Sequence, residues 1–374
     1  MRLLILDQFS DPGGAQQALV DLLPAVRGRG WDALIGMPGA GPLFEQIGAL
    51  GFETAQIDCG PYGSGRKSVA DALRFIAGAR RLARQARQLA RRIRADLVYV
   101  NGPRLLPAVA GMSVPVVFHS HSYVAEGIVR RITGRALERT GASVIAACRF
   151  VAKPWAQFVT RERVTVIYNG VAGPSRAFAR RAGALRVGCI GRMAPEKGQR
   201  EFLRVASAVH HRLPECRFSV FGAPLFGDAH AQRYAARVRE EAAGLPVDFA
   251  GWTSDVHAAL AGLDLLLVPS IGPEATPRVI PEAFSAGVPV IAFRSGGIPE
   301  LTSDMPGALA DSVEQMAALA IELLTDTVER RARMSEAARE QWRRRFTLER
   351  YRQDVLATIE CAARGSAARE LTNA

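Results

Sequence analysis

Short apolar runs recur along the chain, each followed by a longer segment of helical periodicity, and this alternation limits the possible folds more than any single motif does. In the first half the runs are "RLLILD", "DALIGM", "DLVYV", "VPVVFH", "SVIAAC" and "VTVIYN". In the second half they are "LRVGCIG", "RFSVFG", "VDFAGW", "LDLLLVP" and "PVIAF". Unbroken apolar runs suit strands buried on both faces, and the intervening helices are what would cover them. Gly, Pro and Ala collect in "NGVAGPSRAFARRAGA" between the two series. The expectation is an α/β chain with two doubly wound, Rossmann-like domains, residues 1–172 and 173–349. A last helix and tail follow over residues 350–374. The 374 residues suit two cores better than one. In such folds ligands sit beyond the carboxyl ends of the strands.

Charge is unevenly spread. Residues 1–172 carry 22 Lys and Arg against 12 Asp and Glu, while the remainder is close to balanced. That asymmetry predicts an anionic partner for the first half. No nucleic-acid recognition motif accompanies it, and 7% aromatic residues offer few stacking platforms, so nucleic acid is not an expected partner. The five cysteines are scattered without a CxxC, and no apolar stretch reaches bilayer length. A reduced, cytoplasmic protein is expected. The segment "LRFIAGARRLARQARQLARRIRAD" reads as a helix with Phe75, Leu82, Ala86, Leu89 and Ile93 on one face; its arginines form a solvated face or a membrane contact. The stretch "RRRFTLERYRQDVLATIECAARG" reads as another helix.

Several loops could carry chemistry. "FSDPGGAQQALVDLL" places Gly13 and Gly14 between a strand and a helix, as an anion-binding turn or only a tight one. "VGCIGRMAPEKGQREF" sets Arg192 and Lys197 at a strand's carboxyl end, where a diphosphate could be held. Only three lysines stand against 45 arginines, so a lysine in this turn suggests a compact donor. "VPVVFHSHSY" ends a strand with His119 and His121, readable as substrate partners or as satisfied structural histidines; no third ligand suggests a metal. "PEATPRVIPE" spaces Glu274 and Glu282 eight positions apart after the strand "LDLLLVP". The glycines of "SGGIPEL" read as a structural turn.

Taken in order, "GGAQQAL", "FHSHSY", "VIYNGV", "GRMAPEKG", "GWTSDV", "VPSIGPEATPRVIPEAFSAGVPVIA" and "SGGIPEL" resemble glycosyltransferase family 4, the retaining nucleotide-sugar glycosyltransferases. The resemblance implies a GT-B fold: two Rossmann-like domains facing a deep cleft, with the C-terminal helix crossing back to the first domain. It further implies that Glu274 binds sugar hydroxyls and Glu282 the ribose, with Arg278 and Val279 between them in the donor site. Arg192 and Lys197 would hold the diphosphate, Gly13 and Gly14 would approach donor and acceptor, and His119 would sit against the sugar. No metal or other cofactor is implied. Expected partners are a nucleotide-sugar donor, a glycan or lipid-linked acceptor, and an anionic membrane surface at the inner face, in cell-envelope or exopolysaccharide synthesis. Ala275, Thr276 and Pro277 depart from the family's pattern after its first glutamate, and Pro277 removes an amide from that loop. A sugar-nucleotide epimerase of the same fold and a binding-only relative are the alternatives. A glycosidase using the two glutamates is disfavoured.

Overall fold

A computed structural model describes residues 1–39, 41–59, 69–175, 183–224, 229–305 and 307–372. The side chains of residues 69–77, Phe75 among them, and of residues 366–372 lie outside the description. The chain forms two compact units, one of Met1–Asn169 with Leu348–Ala374, the other of Gly170–Thr347.

The first unit holds seven strands: β1 (Arg2–Asp7), β2 (Asp32–Met37), β3 (Glu53–Gln56), β4 (Leu97–Asn101), β5 (Val116–Ser120), β6 (Ser143–Ala146) and β7 (Val164–Val166). Their order across the sheet is β3-β2-β1-β4-β5-β6-β7, and every pairing is parallel. Both faces are apolar. Leu3 and Ile5 face one core with Leu19, Leu23 and Tyr99, while Leu4 and Leu6 face another with Leu82, Val98 and Phe118. That two-sided burial is why the strands read as unbroken apolar runs.

The second unit holds β8 (Arg186–Ile190), β9 (Arg217–Phe221), β10 (Val247–Gly251), β11 (Leu265–Val268), β12 (Val290–Phe293) and β13 (Leu309–Ala310). Their order is β10-β9-β8-β11-β12-β13, again all parallel. In each sheet the winding direction reverses beside the first strand of the unit, between β1 and β4 and between β8 and β11. Loops leaving those neighbouring strands diverge, which opens a crevice at the carboxyl edge.

Helices begin where the sequence supplies caps. The Asp255 carboxylate accepts from the Ala258 amide at 2.9 Å, Ser312 caps through the Gln315 amide, and Thr327 through the Arg330 amide. The single terminal helix expected from Arg343 onward is two helices, Val328–Arg345 and Leu348–Thr372. Phe346 is buried and Thr347 bridges to Val171, so tertiary contacts interrupt a run that helical propensity alone would continue. The second of these helices returns to the first unit. Tyr351, Val355, Leu356 and Ile359 are buried in its core, and the Tyr351 hydroxyl donates to the Ala18 carbonyl at 3.0 Å. Burying four such side chains stabilises the docked helix by roughly 1.5–3 kcal/mol each.

Candidate functional site

In the second unit, the loops after β8, β11 and β12 meet at the carboxyl edge. The first runs through Gly191 and Arg192 to the turn Pro195–Lys197, and Gly198 then caps the helix Gln199–Arg212. Gly198 has φ +72°, and a Cβ there would lie 1.8 Å from the Pro269 carbonyl oxygen in the loop after β11. Only glycine allows that approach. The Ile271 amide donates to the Glu196 carbonyl at 3.1 Å, which ties the two loops together.

The third loop supports Glu274 in the same way. Gly297 donates its amide to the Glu274 carbonyl at 2.9 Å, and Gly296, at φ +53°, would place a Cβ 1.9 Å from that oxygen. The Ser295 hydroxyl donates to the Gly272 carbonyl. The glycine pair read from the sequence as a plain turn is therefore the seat on which Glu274 rests.

The side chains carried by this frame are paired. Lys197 Nζ donates to Glu274 Oε2 at 2.5 Å, both groups being about one-fifth exposed. Arg192 pairs with Glu196, and its carbonyl accepts from Gln199 Nε2 at 2.9 Å. Arg278 Nε lies 3.7 Å from Glu282 Oε1, and Arg278 Nη1 donates to the Gly170 carbonyl at 3.4 Å. Val279 begins the helix Val279–Ala286, and Glu282 stands in its first turn. Pro277 lies just before that helix and accepts from the Ile280 amide at 3.1 Å, a position where a missing N–H interrupts no ladder. Thus the fold brings Arg192, Lys197, Glu274, Arg278, Val279 and Glu282 to one edge: three cations and three carboxylates, counting Glu196, beside a helix amino end that favours negative charge.

The first unit has its own polar cluster at the end of β1 and β4. Asp7 is wholly buried. Its Oδ1 accepts from the Phe9 amide at 2.8 Å and from Gln16 Nε2 at 2.9 Å, and its Oδ2 from Asn101 Nδ2 at 2.5 Å. Burial pushes its carboxyl up to about 6, against the pull of these hydrogen bonds. Asn101 Oδ1 is 2.8 Å from His121 Nε2, which makes that nitrogen the donor. Gly13 caps the helix Gly14–Gly28 in extended conformation, and a Cβ there would press to 2.8 Å on the Gln16 amide oxygen.

His119 lies at the end of β5 but is fully buried, its Nδ1 hydrogen-bonded to the Tyr99 hydroxyl and its ring 3.8 Å from that of His121. Burial, with His121 beside it, holds its pKa well below 6.5, so the ring is neutral. Its Nε2 has no hydrogen-bond partner among the described residues. Sequence reasoning passed over Asp7, Gln16 and Asn101. The available signal was a polar residue closing an otherwise apolar strand, as Asp7 does after "LLIL" and Asn101 after "LVYV". Cys148 is buried. Among the described residues no group of three or more His, Cys, Asp or Glu is arranged to hold a metal ion.

Comparison with known proteins gives the same order of parts. Residues 12–172 match the family model described as Glycosyltransferase Family 4, and residues 184–326 match Glycosyl transferases group 1. The chain is 33% identical over 132 residues to the GDP-mannose-dependent alpha-(1-6)-phosphatidylinositol dimannoside mannosyltransferase of Mycobacterium tuberculosis; the match covers 34% of this chain and 33% of that protein's length. It is 25% identical over 293 residues to a sulfoquinovosyl transferase of Arabidopsis thaliana, covering 67% of this chain and 55% of the other. In structure it resembles Anabaena HepE, crystallised with UDP, with a TM-score of 0.80 at 26% identity over 96% of this chain and 100% of that one.

Proposed function

Since the chain belongs to glycosyltransferase family 4 and has the GT-B fold, we propose that it is a retaining hexosyltransferase, moving a sugar from a nucleotide-sugar to a lipid-linked acceptor without a metal ion. The observation that carries the donor half is the cluster at the β8/β11 reversal, where Lys197 and Glu274 are in direct contact.

In this reading the donor diphosphate replaces Glu274 as the partner of Lys197. Arg192 adds a second cation. Negative charge grows on the diphosphate as the glycosidic bond breaks, so fixed cations stabilise the transition state more than the bound donor. Glu274, released from Lys197, accepts hydrogen bonds from sugar hydroxyls, and Glu282 accepts from the ribose. The departing phosphate takes the acceptor's proton, and no carboxylate need serve as base. The Mycobacterium relative is named for a phosphatidylinositol mannoside, which supports a lipid-linked acceptor. Its donor is GDP-mannose, whereas HepE has been crystallised with UDP and UDP-glucose, so donors of both bases belong in the first screen.

That screen is a thermal-shift series with UDP, GDP, ADP, TDP and their hexose conjugates, run with and without a chelator. The proposal requires a rise with one nucleoside diphosphate that persists in chelator. No rise with any of them would overturn the donor site. The anomeric configuration of the product, read by NMR, tests retention.

A further inference from the structure

Six large apolar side chains stand strongly exposed among the described residues, and three of them share one helix, Ile128–Thr140. Ile128 is 71% exposed, Val129 54% and Ile132 42%. Ile128, Ile132, Arg135 and Arg139 follow one another at helical spacing along a single outward stripe, flanked by Val129 and Arg131. The outward face is thus apolar in its first turn and a half and basic beyond, with Glu138 its one acid.

The exposure is fixed rather than incidental. Thr133, Gly134, Ala136 and Leu137 form the buried side. Gly134 packs so closely that a Cβ would meet the Phe158 ring at 2.4 Å. Arg130 turns inward, with its Nε donating to the Pro154 carbonyl at 3.3 Å. Rotating the helix to hide the isoleucines would break both contacts. Arg131, Arg135 and Arg139, by contrast, take part in no ion pair among the described residues, unlike Arg130, which pairs with Glu126 at 3.5 Å.

The helix follows β5, so its apolar first turn lies at the carboxyl edge of the first sheet, the edge that holds His119 and His121. We propose that this face docks on an anionic lipid bilayer, with Ile128, Val129 and Ile132 entering the boundary between headgroups and acyl chains and Arg131, Arg135 and Arg139 taking lipid phosphates. An apolar tip flanked by unpaired guanidinium groups matches a surface that is both oily and negative, which is the charge complementarity a soluble neutral partner lacks. No described helix is long and apolar enough to cross a membrane, so the contact is interfacial. The face serves the lipid-linked acceptor proposed above and rests on that reading for its purpose. It brings the carboxyl edge of the first unit to the plane where such an acceptor's sugar emerges.

The test is co-sedimentation of the full chain with phosphatidylcholine vesicles, with and without phosphatidylglycerol, at low and high salt. The wild type should bind the anionic vesicles at low salt. The double variant Ile128→Ser/Ile132→Ser should partition on the order of ten-fold less. Arg135→Gln/Arg139→Gln should lose a similar factor, chiefly at low salt. An unchanged nucleotide thermal shift in both variants shows that they are folded. A wild type that stays in the supernatant overturns the docking face, as does a serine variant that binds like wild type. A wild-type dimer that the serine variant converts to monomer, seen by sedimentation velocity, also overturns it and assigns the face to a second copy. Detergent-dispersed lipid acceptor separates the two readings. Transfer in detergent without vesicle binding defeats the docking face alone; vesicle binding without transfer to any lipid defeats the acceptor reading alone.

Discussion

Lys197 and Glu274 are 77 positions apart in sequence, yet their side chains are in contact at 2.5 Å where the loops after β8 and β11 meet. On the proposed reading, the pair holds the lysine in place until the donor diphosphate competes for it. Lys197→Ala should lower turnover by about 2–4 kcal/mol of transition-state stabilisation, as loss of an oxyanion donor does. Lys197→Arg should recover only part, because a planar fork cannot take the position of a compact ammonium. Steady-state kinetics with the donor from the thermal-shift screen measures both, and unchanged kcat and KM would remove Lys197 from the reaction.

Gly296→Ala tests the seat beneath Glu274. The new methyl group would collide with the Glu274 carbonyl at a backbone angle that disfavours any side chain. The expected result is a loss of about 2 kcal/mol or more in stability, together with weakened nucleotide binding. Isothermal titration of Gly296→Ala beside Gly262→Ala, whose nearest neighbour is an unstrained 3.6 Å away, is the measurement. Equal affinity in the two variants would make the glycine a turn and nothing more.

Asp7 links stability to pH. Its carboxyl is raised from 3.8 to about 6 by burial, so the folded chain keeps a proton that the unfolded chain has lost. A raised folded-state value means a contribution complete below about pH 4 and lost as pH rises through about 6. Two pKa units correspond to about 3 kcal/mol. The unfolding free energy of the wild type relative to Asp7→Asn, from denaturant titrations, should therefore fall by that order between about pH 4 and pH 7. A difference that ignores pH would show that Asp7 stays ionised throughout.

The strands of both cores were legible because burial on two faces leaves an unbroken apolar signature. Each of the eleven runs quoted from the sequence overlaps an observed strand, from Arg2–Asp7 to Val290–Phe293. Glu53–Gln56 and Leu309–Ala310 escaped notice. Both are outermost strands, the first half-exposed with no apolar run and the second only two residues long. That these residues lie at the carboxyl edge of the second sheet could be read from their place after the strands, but not their pairings. That Lys197 meets Glu274, or that Gly296 supports it, depends on loops converging from strands far apart in sequence. The pairing within the buried network of Asp7, Asn101 and His121 was hidden for a related reason: a polar residue ending a strand marks a position but looks the same whether it faces solvent or a partner.

Tyr351→Phe removes the hydroxyl that bonds to Ala18 and leaves the ring in place. The expected cost is about 1–2 kcal/mol of stability. Nucleotide affinity should not change, since the proposed donor cluster is built wholly within Gly170–Thr347. Calorimetry and titration on the same sample check both halves, and a loss of affinity would mean that the helix shapes the donor site as well.

The return of Leu348–Thr372 to the first unit also dictates an order of events at the ribosome. Domains generally fold as units, the N-terminal one first, as the chain emerges. Here the first seven strands are made early, but Tyr351, Val355, Leu356 and Ile359, which complete their core, are made only after the second unit. Throughout synthesis of the whole intervening unit, the nascent first unit carries an apolar groove that nothing yet covers. In that interval the uncovered groove is apolar surface of the kind that makes partly folded chains prone to aggregate.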